Sequence, residues 1–491
     1  MYLFIEKKLM KKNLAENTFY YLIYNVLNVI FPFLTGIYVA RVLLPADVGM
    51  VLYSQNIVQY FVILAFFGLP TYGLREIAKV KDEPLQRNKV FTELFIINAI
   101  STLTFSTIYV AMIFSVPSFS ENILLYLIVG LSIAFNAIDI VWLYEGMEEF
   151  KFISVRSTII KTLSFIALII FVREPKDYLI YAIITVVGIC GNHIISILCH
   201  GKLARFDFKG LNIKRHLKPV LFLVAVNLSI ELYTLVDTTM LGIFCDEERV
   251  AFYSYGSKIN KILLQVVNTF TMVIVPKLAS SVKDGDKESF NNLLSKTLRI
   301  IIILALPMII GLQFVAGTVI EILYTSTYSS SATVLRILSL VLLISPIGYL
   351  LGSRVCLVTG NEKKMLLSVS IGAIVNIIGN LLLIPKFQEY GAAMASVFSE
   401  IVVMVVYILL GKKYFTLNSI TKNVVKTIIA TVFMLLALIL LSILRVNYIF
   451  LMIVQIVSAI IMYFALLIML KEEDVFDVWK KLTAKLMKKN S

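Results

Sequence analysis

Lys258 and Lys261 stand three residues apart in an apolar block of the chain, and at that spacing two ammonium groups share a helix face. An ionisable group inside a membrane-crossing segment is expensive, so both are candidate functional groups. Counted from Phe252, Lys258 lies about 9 Å and Lys261 about 14 Å into a helix, too deep to snorkel out easily. Both are expected to face an aqueous cavity, where they suit an anion. The competing role for Lys258 is an ion pair with Asp237 or Glu231 in the preceding block. Those two carboxylates lie six residues apart, on helix sides that differ by about 120°. With Asp139 earlier in the chain, they are candidates for carrying a coupling ion, because a buried carboxylate has a pKa that responds to its partner. Pairing with a lysine is the equal alternative. Lys161 and Arg354 are further basic candidates for the anion, although Lys161 also suits snorkelling to the cytoplasm.

Asn25, Asn28, Gln55, Asn56 and Gln59 place amides in the first two apolar blocks. Such amides commonly hydrogen-bond between helices, and they suit sugar hydroxyls equally well; Asn28 and Gln59 are the candidate contacts to a substrate. Arg41 and Arg75 fall at block ends, where capping helix carbonyls or locking loops is expected. Pro32, Pro307 and Pro346 each remove a helix hydrogen bond and mark bends, either gating or static. Glu400 follows an Ala-rich start, which suits a hydrogen bond within its own half. Cys190, Cys199, Cys245 and Cys356 lack metal-ligand spacing. His193, His200 and His216 are the only histidines, which disfavours a His-based metal site or proton relay. No metal and no cofactor are expected.

Helices crossing a membrane must position these groups. The 491 residues are 59% hydrophobic. From Thr18 to Leu470 the apolar stretches recur in blocks of about 20 residues, the length of one helical crossing, and backbone groups in lipid must be satisfied internally. Fourteen spans are expected, at 18–40, 48–68, 90–115, 122–144, 155–172, 178–199, 218–243, 252–276, 298–324, 333–358, 364–385, 390–411, 424–444 and 447–470. No small-residue cleavage site follows the first, so it is expected to remain as an anchor. Basic residues crowd alternate loops. Arg75, Lys79, Lys81, Arg87 and Lys89 follow span 2, and Lys202, Arg205, Lys209, Lys214, Arg215 and Lys218 follow span 6, whereas 115–122 carries none. The positive-inside rule then puts both termini in the cytoplasm. It also explains the net charge of +14 without nucleic acid. There is no P-loop and no sizeable outer domain, so ATP hydrolysis is not expected.

Leu143, Gly146, Glu148, Ser154 and Val155 are echoed by Leu357, Gly360, Glu362, Ser368 and Val369. A weaker echo pairs Val48, Tyr53 and Ile57 with Val250, Tyr255 and Ile259. Both are offset by six spans, an even number, so the halves run parallel. The expected architecture is an all-α polytopic membrane protein: an N-lobe at 1–217 (spans 1–6), a C-lobe at 218–411 (spans 7–12), and two appended helices with a tail at 412–491. Gly146 and Gly360 mark the corresponding turns.

Three stretches carry a resemblance: Thr35-Gly-Ile-Tyr-Val-Ala-Arg41-Val-Leu-Leu-Pro45, Phe67-Gly-Leu-Pro-Thr-Tyr-Gly-Leu-Arg75-Glu76 and Trp142-Leu-Tyr-Glu-Gly146-Met-Glu148. A fourth runs from Gly360-Asn-Glu-Lys through Asn376, Asn380 and Ile384-Pro385 to Gly391-Ala-Ala and Ser399-Glu400. Over spans 1–12 the chain resembles polysaccharide repeat-unit flippases of the Wzx type, in the multidrug/oligosaccharidyl-lipid/polysaccharide exporter superfamily. That resemblance implies two six-helix lobes around a cavity open to one side at a time, in a bacterial cell membrane. It implies an undecaprenyl-pyrophosphate-linked oligosaccharide as cargo, turned to the outer leaflet for capsule or O-antigen assembly. Lys258 matches the position of a basic cavity residue in the related lipid II flippases. A proton or sodium gradient, or substrate mass action, is the expected drive. The lipid bilayer is a partner, and glycosyltransferase and polymerase machinery are candidates. The alternatives are a multidrug cation exporter, whose cavity should be acidic and aromatic, and a polymerase, which needs a sizeable outer loop with catalytic Arg or His.

Overall fold

The structure is a computed structural model describing residues 2–416, 421–444, 446–477 and 479–480; within these, the side chains of 2–15, 222, 225–230, 232–233, 362 and 421–422 are not described. Among the described residues every regular element is helical. The chain forms two compact units, Met1–Thr239 and Met240–Ser491.

Unit 1 contains α1 (Tyr2–Val42), α2 (Pro45–Phe66), α3 (Leu69–Lys79), α4 (Pro84–Ser115), α5 (Ile123–Phe135), α6 (Val141–Gly146), α7 (Phe150–Phe171), α8 (Tyr178–Cys199) and most of α9 (Lys214–Phe244). Unit 2 contains α10 (Glu247–Val273), α11 (Val275–Lys283), α12 (Lys287–Tyr324), α13 (Ser329–Leu338), α14 (Val341–Gly348), α15 (Val355–Val358), α16 (Glu362–Gly411), α17 (Thr421–Ser442) and α18 (Tyr448–Met469). Eleven helices among the described residues are long and apolar enough to cross a membrane. They expose apolar side chains such as Leu103, Leu163 and Leu440 over half or more of their surface, which suits a hydrocarbon solvent.

The difference between eleven and the expected fourteen has local causes. Ile123–Ile138 is apolar but short, and Thr234–Phe244 is the searched part of the seventh block. α16 runs for 50 residues, about 75 Å if straight, more than twice a bilayer core. It is not straight: Gln388 sits at φ 51°, ψ −128°. Gly391 abuts the Leu383 carbonyl so closely that a Cβ would overlap it. A straight helix holds residues eight apart about 12 Å away from each other, so the chain turns back on itself here.

The two glycines of the internal echo do different work. After α15, Gly360 takes φ 69° and Asn361 N–H bonds back to Cys356 O at 2.7 Å, a left-handed helix cap. After α6 the same cap is built on Glu148, at φ 61°, with Glu149 N–H on Tyr144 O at 2.9 Å. Gly146 instead lets α3 approach: a Cβ there would lie 2.7 Å from Ile77 Cγ2 and 3.0 Å from Leu74 O. Gly146→Ala is therefore expected to cost about 1–3 kcal/mol by overpacking, and Gly360→Ala about 1–2 kcal/mol by left-handed strain. Thermal melts in one detergent check both; an unchanged midpoint in either variant would contradict the role given to that glycine.

Pro307 in α12 cannot donate to Ile303 O, four residues back. Tyr463 of α18 fills the gap, its hydroxyl donating to Ile303 O at 2.8 Å. Ile303 and Tyr463 belong to one apolar cluster with Met434 and Leu438 of α17, which docks the last two helices on α12.

Candidate functional site

Lys258 and Lys261 lie on α10, half-buried and exposed respectively. The opposite side of that helix is pressed on α13: a Cβ at Gly256 would stand 2.7 Å from Ser331 O and 2.8 Å from Val334 Cγ1. At about 100° per residue, Lys258 and Lys261 leave the helix about 200° and 140° around from Gly256. Packing between α10 and α13 thus aims both lysines away from α13. Tyr255 stacks on Tyr324 at 4.2 Å and stiffens the same helix.

Arg354 closes a π-helical turn, Tyr349–Arg354. Such turns arise where the ladder is interrupted and are frequent at functional sites. Pro346 withholds a donor just before it, and Gly352 gives way to the Tyr407 ring, which a Cβ there would overlap. The Arg354 guanidinium lies 5.8 Å from the Tyr349 ring centre, and its Nε is buried without a hydrogen-bond partner among the described residues. Glu400, half-buried on α16, acts electrostatically on Tyr349 and Tyr407, as Arg354 does.

In unit 1 two candidates meet. Lys161 Nζ of α7 donates to Asn28 Oδ1 of α1, so a 133-residue separation closes into one contact. Gln59 is exposed on α2. Its neighbour Asn56 is buried and donates to Thr239 Oγ1 at 2.7 Å and Leu235 O at 3.3 Å, an interhelical tie rather than a free amide. Glu231 accepts from Thr234 Oγ1 at 2.9 Å, within its own helix. Asp237 is buried on α9, within electrostatic range of Tyr60. Arg41 is the basic residue in the last turn of α1, where the helix dipole favours it, and Pro32 lies inside that helix without ending it. Arg75 is exposed on α3.

Asp139 is the most elaborately held of the acidic candidates. It follows the short turn Asn136–Ile138, and Val141 N–H donates to its Oδ1 at 2.9 Å. Asn98 Nδ2 of α4 reaches the carbonyls of Asn136, Ala137 and Asp139 at 2.7, 3.3 and 3.4 Å. His193 of α8 places Nδ1 3.3 Å from Asp139 Oδ1. Arg156 of α7 is buried, bonds to Ser196 Oγ and feels the charge of Asp139.

Three arrangements escaped the reading of the sequence. The first is His193 itself, set aside because the chain has only three histidines. The second is Glu93, 1% exposed. It accepts from Asn212 N–H at 2.5 Å, Arg215 Nη2 at 2.5 Å and Arg215 Nε at 3.1 Å, and pairs with His216 Nε2 at 2.8 Å. Tyr72 OH meets His216 Nδ1 at 2.9 Å. The third is Arg249, bonded at 3.0 Å to the fully buried Glu389. The only sequence signal for these was an ionisable residue in or at the edge of an apolar block. Among the described residues no group of three or more His, Cys, Asp or Glu side chains is placed to hold a metal.

The sequence matches the family described as polysaccharide biosynthesis protein over residues 14–282. It is 24% identical over 403 residues to a putative O-antigen transporter of Escherichia coli K12, covering 80% of this chain and 95% of that one. It is 25% identical over 418 residues to the capsular polysaccharide biosynthesis protein CapF of Staphylococcus aureus, covering 82% of this chain and all of the other. The fold is similar to that of the lipid II flippase MurJ in an inward closed conformation, with a TM-score of 0.70 over 92% of this chain and 98% of that one at 18% identity. It is also similar, at TM-score 0.59 and 15% identity over 80% of this chain and 95% of the other, to an inward-facing multidrug transporter of the MATE family.

Proposed function

From the premise that the chain belongs to the polysaccharide biosynthesis protein family, we propose that it is a flippase for an undecaprenyl-pyrophosphate-linked oligosaccharide repeat unit. The cargo moves from the cytoplasmic to the outer leaflet of a bacterial cell membrane by alternating access, for capsule or O-antigen-type polysaccharide. The observation that carries the reading is Lys258 with Lys261 on the side of α10 turned away from α13, cations in an apolar helix where an organic-cation exporter needs acidic groups. The names of the Escherichia coli and Staphylococcus aureus relatives support the cargo class.

In this reading Lys258 and Lys261 bind the pyrophosphate, with Arg354 and Lys161 as further basic contacts and Asn28 and Gln59 toward the sugar. Asp237, Glu231 and Asp139 carry the coupling ion, a proton or sodium. Fourteen spans form lobes at 1–217 and 218–411 with an appendage at 412–491, and both termini lie in the cytoplasm. Gly146, Gly360, Pro32, Arg41, Arg75 and Glu400 hold or bend the helices. The protein acts as a transporter, not an enzyme, beside the glycosyltransferases and polymerase of the same route.

The test is reconstitution in vesicles with a fluorescent polyprenyl-pyrophosphate oligosaccharide. Inside-to-outside transfer is expected to exceed that of empty vesicles at least tenfold. Absence of transfer together with extrusion of an organic cation would replace this function with multidrug export.

A further inference from the structure

We propose that the segment joining α8 to α9, from Lys202 to Lys209, is a docking site for anionic phospholipid. Phe206 and Phe208 enter the acyl region, and Lys202, Arg205 and Lys209, with Lys89 of α4, hold headgroup phosphates. This binding does not depend on the cargo assigned above. The segment is held in place along α4. Arg205 N–H and Asp207 N–H, alternate groups of an extended stretch, bond to Asn88 Oδ1 and Thr92 Oγ1, one helical turn apart. Asn212 N–H is anchored on the buried Glu93. A backbone fixed in this way has little conformational freedom left to lose on binding.

The same anchoring sorts the side chains. In an extended chain successive side chains leave on opposite faces. Phe206 and Phe208 stack on one of them, ring centres 6.0 Å apart and 12° from parallel. Phe206 also meets Phe91 at 5.1 Å and Phe95 at 5.0 Å. Asn88 and Lys89 directly precede the apolar stretch of α4, and Phe91 and Phe95 stand in its first two turns. The segment therefore crosses α4 at the membrane boundary, with its aromatic side toward the bilayer. Phe208 is 69% exposed there and Leu198, at the end of α8, 76%; fixed apolar surface at that level suits acyl chains. Arg205 is exposed on the other side, as are Lys202 and Lys209. Lys89 lies against the same turn: a Cβ on Gly210 would stand 3.8 Å from its Nζ. Against these four cations the segment sets one carboxylate, Asp207, whose Oδ1 accepts from Lys209 N–H at 3.0 Å. Cations beside an apolar wedge match phosphates with acyl chains beneath them. An acidic soluble protein would match the charges but not the aromatic side turned to lipid.

The test is a thermal melt of the full chain in detergent with phosphatidylglycerol or phosphatidylcholine added. Phosphatidylglycerol should raise the midpoint by about 2 °C or more beyond phosphatidylcholine, and about 0.5 M salt should erase the difference. Arg205→Gln/Lys209→Gln should lose half or more of it, whereas Lys283→Gln/Lys287→Gln, at the turn between α11 and α12, should keep it. Equal losses in the two double variants, or none in the first, would overturn the site. Phe208→Trp adds a reporter whose emission should be quenched by phospholipid brominated on its acyl chains and spared by aqueous iodide; the reverse would overturn the wedge. In vesicles of phosphatidylcholine alone, Arg205→Gln/Lys209→Gln should flip the labelled oligosaccharide at the wild-type rate. A loss there would give these cations to the cargo and overturn the phospholipid assignment. No flipping by wild type, with the melts as predicted, would keep the lipid site and remove the flippase reading.

Discussion

Replacing Glu93 by alanine is expected to lower the unfolding free energy by about 3–5 kcal/mol, the cost of breaking a buried ionic network by removing one partner. Glu93 is the acceptor on which one backbone N–H, a guanidinium and an imidazole converge. Arg215 is half exposed and can rehydrate, but His216 is 1% exposed and would lose its carboxylate with no water to replace it. The effect should be local as well as global. The segment after α8 docks on one side of α4: Arg205 N–H donates to Asn88 Oδ1 and Asp207 N–H to Thr92 Oγ1, both at 2.8 Å, before Asn212 reaches Glu93. Loss of the last anchor should expose Arg205 and Lys209 to trypsin under conditions where the wild type resists. Glu93→Gln, which keeps shape and two acceptor lone pairs, should fall between. An alanine variant with an unchanged melt and unchanged proteolysis would contradict this account.

Arg249→Ala is expected to be comparably damaging, about 3–5 kcal/mol, for the same reason in the other unit. Its partner Glu389 is fully buried, and Arg249 also packs its guanidinium 5.8 Å from the Phe252 ring centre. Glu389 directly follows Gln388, where α16 turns back, so the ion pair ties the start of α10 to that corner. The double variant Arg249→Ala/Glu389→Gln should recover part of the loss, because the uncompensated charge is gone; a double-mutant cycle reads the coupling. Additive losses would show that the pair contributes nothing as a pair.

These two networks mark where reading the sequence stops. Hydropathy located the helices, because the length of a crossing and the need to satisfy backbone groups act on each segment alone. The corner at Gln388 was legible as a gap between two apolar blocks, whereas the break that lets the chain turn is visible only in its dihedrals. Lys161 and Asn28 were each singled out, but not their contact, since 133 residues separate them. His193, His216 and Arg249 were passed over for one reason: each finds its role in a carboxylate 54, 123 or 140 residues away. No periodicity encodes such a pairing. The letter echo between Gly146 and Gly360 misled at one point, because Glu148 occupies the cap that Gly360 fills in the other half.

The most direct test of the central claim is the translocation rate of labelled polyprenyl-pyrophosphate oligosaccharide in vesicles holding wild type or Lys258→Ala at equal density. The account predicts at least a tenfold loss in Lys258→Ala, about 1.4 kcal/mol or more of lost stabilisation, with an unchanged thermal melt and partial recovery in Lys258→Arg. Equal rates in wild type and Lys258→Ala would contradict it and remove the cationic site on α10 from the mechanism.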